Sequence, residues 1–188
     1  MCGCRKAAAG ATPGVVGTPR VGRRMAAAPA AVAPVAFTAA VVVEPEVIDT
    51  SVWGPPLWRA LHIAAVFSNR IYVRNDWSAL LHYLQESLPC PDCTGHYNAW
   101  YAAHPFVRGN NSPDVRMRAH EWLVALHNDV NVRTEKPTMA PDEAAALFGG
   151  DRLARIAEAE AAVVSLRGIV GKRALVVLFK ILQVIKRR

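Results

Sequence analysis

The chain has 188 residues, room for one domain with a real core plus tails, and its 52% hydrophobic content is consistent with that core. Its net charge of +7 belongs to the ends: residues 1–43 carry five Lys/Arg, residues 166–188 carry seven, and neither segment holds an acid. Residues 44–165 hold ten basic and fifteen acidic residues, which does not support a nucleic-acid surface on the centre, so no nucleic-acid partner is expected for the core domain.

Residues 1–50 read as a low-complexity leader rich in Ala, Pro and Arg. Within it a basic stretch precedes 18 mainly apolar residues, 26–43, interrupted by Pro29 and Pro34. That length only just reaches the span of a membrane helix, and the acid-free, Arg- and Ala-rich composition also fits a transit segment or a plain linker. The leader carries a Cys2-Gly-Cys4 pair.

From residue 53 the periodicity becomes helical and strand signals are nearly absent. "PPLWRALHIAAVFSNR" predicts a first helix whose prolines sit in its opening turn. "NDWSALLHYLQESL" predicts a second, capped by Asn75/Asp76 and apolar at Trp77, Leu80, Leu81, Leu84 and Leu88. "PDCTGHYNAWYAAH" predicts a third with Cys90 at its N-terminus, and a Ser112-Pro113 start opens a fourth with an apolar stripe from Val115 to Val130. "APDEAAALF" gives a short fifth helix, stopped at Gly149-Gly150. The expected class is all-α: a four-helix bundle plus a short fifth helix over 51–149, followed by a helical extension, 150–188. The end of that extension, 174–185, is a basic amphipathic helix too short to span a membrane, suited either to an anionic membrane surface or to packing on the bundle.

The chemistry-bearing motif is "CPDCTGH". Cys90, Cys93 and His96 supply three zinc ligands, with His104 or His127 as a fourth, although structural zinc usually draws two ligand pairs from separate segments. A thioredoxin-type site would need a βαβ neighbourhood, and this one is helical. A plain structural disulfide closing so short a loop would restrict the unfolded chain little. A helix N-terminus favours a thiolate at Cys90, which suits a disulfide that opens and closes. Trp58 and His62 share a helix face, as do His127 and Asn131, with Asn128 between them and Arg133 and Lys136 just after. Taken together these offer aromatic walls, hydrogen-bonding groups and cations suited to a flat, diphosphate-bearing cofactor.

"WGPPLWRALH", "LPCPDCTGHY" and "WLVALHNDVNVRTEKP" resemble, in order and spacing, the Erv/ALR family of FAD-linked sulfhydryl oxidases, most closely the versions of large DNA viruses, over about residues 53–148. The resemblance implies an FAD-binding helical bundle, usually a homodimer, that oxidises protein or small dithiols and passes electrons to O₂ with formation of hydrogen peroxide. It implies that Cys90–Cys93 is the redox-active disulfide, with Cys93 against the flavin and Cys90 facing incoming thiols. It places Trp58, His62, His96, His127, Asn128, Val130, Asn131, Arg133 and Lys136 at cofactor contacts, with no metal. It offers Cys2 and Cys4 as a shuttle pair such as family members carry on a tail, with N-terminal lipidation or an incidental pair as the alternatives. Relatives of this kind work in a host cytoplasm or virion if viral, and in the mitochondrial intermembrane space or secretory pathway if cellular. The chain departs from the pattern at Val124 and Pro141, where many relatives have a second disulfide, at Pro55, and at Thr134-Glu135, which replace Leu-Gly. The alternative from another class is a non-enzymatic helical module with a C-x2-C-x2-H zinc site.

Overall fold

A computed structural model describes residues 48–187; Cys2, Cys4 and the apolar stretch 26–43 lie outside the described residues. Within them the chain forms seven α-helices and no strand: α1 (Thr50–Val66), α2 (Arg74–Leu84), α3 (Pro91–Ala103), α4 (Ser112–Arg133), α5 (Pro141–Phe148), α6 (Arg152–Ser165) and α7 (Lys172–Lys186). The expected all-α class is observed.

Helix α1 begins earlier than its prolines suggested. Asp49 caps it by accepting from the Ser51 N–H at 2.9 Å, so Pro55 and Pro56 lie inside the helix rather than in its first turn. Proline has no N–H, so the carbonyls of Ser51 and Val52 lose their helical donors. Both residues are exposed, and solvent can serve those carbonyls. Beyond the prolines every residue from Ala60 to Ala65 is buried, which makes α1 the central helix of the fold.

Helix α2 buries Trp77, Leu80, Leu81 and Leu84 as the periodicity required. Its ends differ from expectation. A single 3-10 turn (Ile71–Val73) leads directly into it, and neither Asn75 nor Asp76 is its cap; the Asp76 carboxylate instead pairs with Lys180 at 2.8 Å. It stops at Leu84, short of Leu88, because the N–H groups of Gln85, Glu86 and Ser87 each reach three residues back and tighten the last turn. The Ser87 hydroxyl donates to the Tyr83 carbonyl at 2.6 Å, and Pro89 then forbids a further helical bond. Starts of α4 and α6 follow sequence logic, with Asn111 accepting from the Asp114 N–H at 3.0 Å and Asp151 from the Ala154 N–H at 2.8 Å.

The C-terminal helices complete the core. Helix α6 packs on α1, α7 packs on α2, and the two pack on each other, while α4 and α5 cover another side of α1. One apolar cluster runs from Trp53 through Trp77 and Leu123 to Ile185. The apolar face of α7 (Leu175, Leu178, Ile181, Leu182 and Ile185) is buried in it, which decides between the two uses the sequence allowed. Cations pin this helix: Lys180 to Asp76, Lys186 to Glu160 at 2.9 Å, and Arg173 to Glu86 at 3.5 Å. At the α7 start Gly171 donates its N–H to the Ser87 carbonyl at 2.9 Å, and a Cβ there would come 2.5 Å from the Ser87 hydroxyl, so only glycine permits the approach. Among the described residues, no helix is long and apolar enough to cross a membrane.

Leu178 is fully buried, and Leu178→Ala is expected to cost about 3 kcal/mol of unfolding free energy. All five tryptophans lie between residues 53 and 122, outside the α6–α7 hairpin. Urea unfolding followed by tryptophan fluorescence should therefore show one transition moved to lower urea. An unmoved tryptophan transition would mean that the hairpin folds apart from the rest.

Candidate functional site

Cys90 is the N-cap of α3, in extended conformation, and Pro91 takes the first helical position where its missing N–H costs nothing. Cys90 and Cys93 are joined as a disulfide, with Cα atoms 5.2 Å apart, and the Cys93 N–H points at the Cys90 sulfur at 3.2 Å. The amino end of the helix thus faces a sulfur, an arrangement that favours negative charge there once the bond opens. Cys90 is 9% exposed and Cys93 is half-buried.

Helix α3 buries only Tyr97 completely; burial and the neighbouring Tyr101 push that phenol above its usual range, and it donates to the Leu81 carbonyl at 2.7 Å. Toward its far end, Trp122 of α4 makes edge contacts with Tyr97, Trp100, Tyr101 and Phe106, and its indole N–H donates to the His104 carbonyl at 2.8 Å. Closer to the cysteines, His96 pairs through Nε2 with the Asp129 carboxylate of α4. His96 lies one turn after Cys93 and Asp129 is on α4, so the pair ties the disulfide helix to the helix that also carries His127.

An aromatic cluster is built by α1, α4 and α5. Trp58 stacks on His127 with ring centroids 4.1 Å apart and planes 4° from parallel. His62 Nε2 meets His127 Nδ1 at 2.9 Å, and its ring stacks on Phe148 at 4.5 Å and 7°. His62 is fully buried, and burial, then His127 and His120, hold its pKa down to about 3. Burial, then Lys136, lowers His127 to about 4. Both rings are therefore neutral at pH 7 and share a single proton between the facing nitrogens. Whichever ring donates, His62 Nδ1 is left buried without a partner, as are His120 Nδ1, Trp100 Nε1 and Asn98 Oδ1.

The asparagines of α4 are engaged differently. The Asn128 side chain donates to the Met139 carbonyl at 2.8 Å and accepts from the Met139 N–H at 3.0 Å, while the Asn131 amide donates to the Pro137 carbonyl at 3.1 Å. With the His120 Nε2 contact to the Pro141 carbonyl at 2.8 Å, they clamp the α4–α5 connection. Val130 is half-buried, and Arg133 and Lys136 are exposed at the end of α4. No three His, Cys, Asp or Glu among the described residues converge on a metal position, and His96 is turned to Asp129 rather than gathered with the cysteines as a ligand. Sequence reasoning missed Phe148, Asp129 and His120: Phe148 was visible only as an apolar helix end, and Asp129 only as one acid on a polar face.

The sequence pattern of the Erv1/Alr family matches residues 55–148. The chain belongs to that family. A protein of African swine fever virus named FAD-linked sulfhydryl oxidase is 36% identical over 94 residues, covering 48% of this chain and 75% of the relative. The mitochondrial FAD-linked sulfhydryl oxidase of Schizosaccharomyces pombe is 34% identical over 98 residues, 50% of this chain and 51% of that protein. A protein of Frog virus 3 named as a putative FAD-linked sulfhydryl oxidase is 28% identical over 105 residues, 53% of this chain and 67% of its own length. No solved structure matches the chain. The Erv1/Alr span contains the disulfide and the whole aromatic cluster, and it ends at Phe148, before α6 and α7.

Two outcomes test this geometry. Because the folded imidazoles hold protons less tightly than the usual 6.5, the unfolded chain takes them up first; the stability they confer is present above about pH 6.5 and is lost as pH falls toward 4. For His62 alone the loss between pH 7 and pH 5 is roughly 2 kcal/mol by chemical denaturation, whereas a flat profile would place a charged or exposed imidazole there. The second concerns Glu135, which has φ of 55° directly after the C-cap of α4, where Lys136 and Glu135 N–H groups return to the Asn131 and Val132 carbonyls. This is a glycine position, so Glu135→Gly should raise stability by about 1 kcal/mol, read as a higher urea midpoint at unchanged slope.

Proposed function

We propose that this Erv1/Alr chain is an FAD-linked sulfhydryl oxidase that forms disulfides in protein or small dithiols, with O₂ as electron acceptor and hydrogen peroxide as product. The observation that carries this reading is a Cys90–Cys93 disulfide at a helix N-terminus, tied through His96–Asp129 to α4, the helix that also contributes His127 to the neutral Trp58–His127–His62–Phe148 cluster. The names of the viral and yeast relatives support it.

The residues present fit the cofactor. Stacked, uncharged rings suit a flat aromatic group, and buried nitrogens without partners at His62 and His120 are the type of atom a bound polar group satisfies. Trp58, His62, His96, His127 and Val130 would hold its rings, and Arg133 and Lys136, exposed at the end of α4, would meet its phosphates. Asn128 and Asn131 would serve by holding the α4–α5 connection against it. When bound, FAD accepts the electron pair of the reduced cysteines and delivers it to O₂.

The chain's own part is thiol exchange. A substrate thiolate attacks the Cys90 sulfur, a new S–S bond forms, the Cys90–Cys93 bond breaks, and Cys93 leaves as a thiolate. A second substrate thiolate then attacks the substrate sulfur of the mixed disulfide, releasing Cys90 and leaving two electrons on the pair. The free N–H groups of the first turn of α3 favour the anionic sulfur. Since Cys90 is nearly buried, its approach calls for the non-helical connection 85–90 to yield. Cys2 and Cys4, if they act, would pass electrons to Cys90 by the same exchange. The homodimer implied by the resemblance would have to use surfaces other than the apolar faces of α1 and α2, which α6 and α7 occupy. Contact with an anionic membrane would go through exposed cations such as Lys172 and Arg187, because the apolar face of α7 is in the core.

The test is the visible spectrum of the purified chain. A bound oxidised-flavin spectrum should bleach with dithiothreitol in air-free buffer and return on admitting air. Cys90→Ser and Cys93→Ser should keep the flavin but lower dithiol-dependent oxygen consumption by at least about a hundredfold. A colourless protein would end the flavoenzyme reading, and activity surviving in Cys93→Ser would refute the electron route.

A further inference from the structure

Helix α6 lies beyond the family-matched span, yet it reaches back to the aromatic cluster. Arg155 Nε donates to the Gly149 carbonyl at 2.8 Å and its Nη2 to the Leu147 carbonyl at 3.0 Å. These are acceptors at the C-terminal end of α5, where helical N–H donors run out and the helix dipole is negative, so a guanidinium suits the position on both counts. Glu158 holds the guanidinium from one turn further along, accepting from Arg155 Nη1 at 2.9 Å. The same carboxylate accepts from Arg59 Nη1 of α1 at 2.8 Å.

Phe148 lies between the two carbonyls that Arg155 grips, and its ring is the one stacked on His62. Arg59 is the direct neighbour of Trp58, whose ring stacks on His127. The network Arg59–Glu158–Arg155 therefore bonds the backbone on both sides of Phe148 and links it to the side chain of Arg59, next to Trp58 on α1, while His62 and His127 lie between the two outer rings. Half-exposed ion pairs of this kind contribute little to overall stability, with side chains here 32% to 53% exposed. Their effect is on placement: two directed bonds fix where α5 ends, and the Phe148 ring follows.

We propose that Arg155, oriented by Glu158, is a positioning residue for the FAD site, fixing the end of α5 so that Phe148 keeps His62 seated against His127. The proposal rests on the flavin reading above and assigns part of the site to a helix outside the family-matched residues. Its test uses the full chain, titrating apoprotein with FAD, with thermal unfolding and His62 ring-proton resonances recorded on the apoprotein. Arg155→Met removes both carbonyl bonds and should weaken FAD roughly tenfold. Arg155→Lys, which can reach one carbonyl, should lose less, and Glu158→Gln should fall between. The His62 resonances of the apoprotein should shift in Arg155→Met, and its activity should recover at saturating FAD. FAD affinity within about twofold of wild type in both Arg155→Met and Glu158→Gln would overturn the proposal, as would lower thermal stability with unchanged affinity. Should Arg155→Met fail to fold, Glu158→Gln, which spares the carbonyl bonds, decides by the same criteria. A wild-type chain that takes up no FAD would fell the flavin reading and this proposal together, whereas binding indifferent to Arg155 and Glu158 fells the proposal alone.

Discussion

Burying the His62 imidazole at the centre of α1 without charge is the constraint around which the site is arranged. A buried imidazolium would have no carboxylate to meet it, so the ring stays neutral, bonded at Nε2 to a facing imidazole and stacked on Phe148, with Nδ1 left without a partner. That choice fixes others. His127 must sit on the α4 face turned to α1, Trp58 must follow His62 around the same helix face, and α5 must end where its last residue covers His62. Three helices are thereby placed by one polar residue in an apolar environment.

Holding α5 there falls to polar contacts across the α4–α5 connection. Asn128 takes both backbone groups of Met139, Asn131 takes the Pro137 carbonyl, and His120 takes the Pro141 carbonyl. Val124, buried, and Pro141, the first residue of α5, stand at the positions where the resemblance to cellular relatives implies a second disulfide. These side-chain bonds tie the same two elements without it. Left-handed backbone at Glu135 shows that the turn keeps its glycine-type geometry with a different residue in place, at the expense of local strain.

Much of this was legible in the sequence, for identifiable reasons. Period-3.6 apolar spacing marked α1, α2 and α4, and Cys90 ahead of Pro91 marked the α3 start, because these signals depend on residues a few positions apart. The pairing of Trp58 with His62 on one face and of His127 with Asn131 on another was visible for the same reason. What the sequence could not show were contacts across long separations. The Asn128 and Asn131 amides could serve a ligand or a loop equally well until the loop was seen to fold back on them. Pro55 and Pro56 suggested a helix start, yet Asp49 provides a cap upstream and the exposed carbonyls tolerate the missing donors. The α7 pattern fitted a membrane surface as well as a core, and only the matching faces of α2 and α6 decide between them.

The two halves of the proposed chemistry are held to different degrees, and their unlike tasks account for it. Rings that stack on a flat cofactor must keep their spacing, and α1, α4 and α5 are fixed by a continuous core and by paired polar contacts. A disulfide that exchanges with bulky thiols must let its sulfur be approached. Helix α3 carries it with one fully buried residue, Tyr97, and is anchored chiefly by the Trp122 aromatic contacts at its far end and by His96–Asp129 near the cysteines. The connection from Gln85 to Cys90 is held by short turns, by the Gly171 N–H on the Ser87 carbonyl, and by the Asn98 and Thr94 side chains on the Gln85 and Leu88 carbonyls. None of these bonds involves the aromatic cluster, so a substrate that displaces this segment would leave the cluster in register.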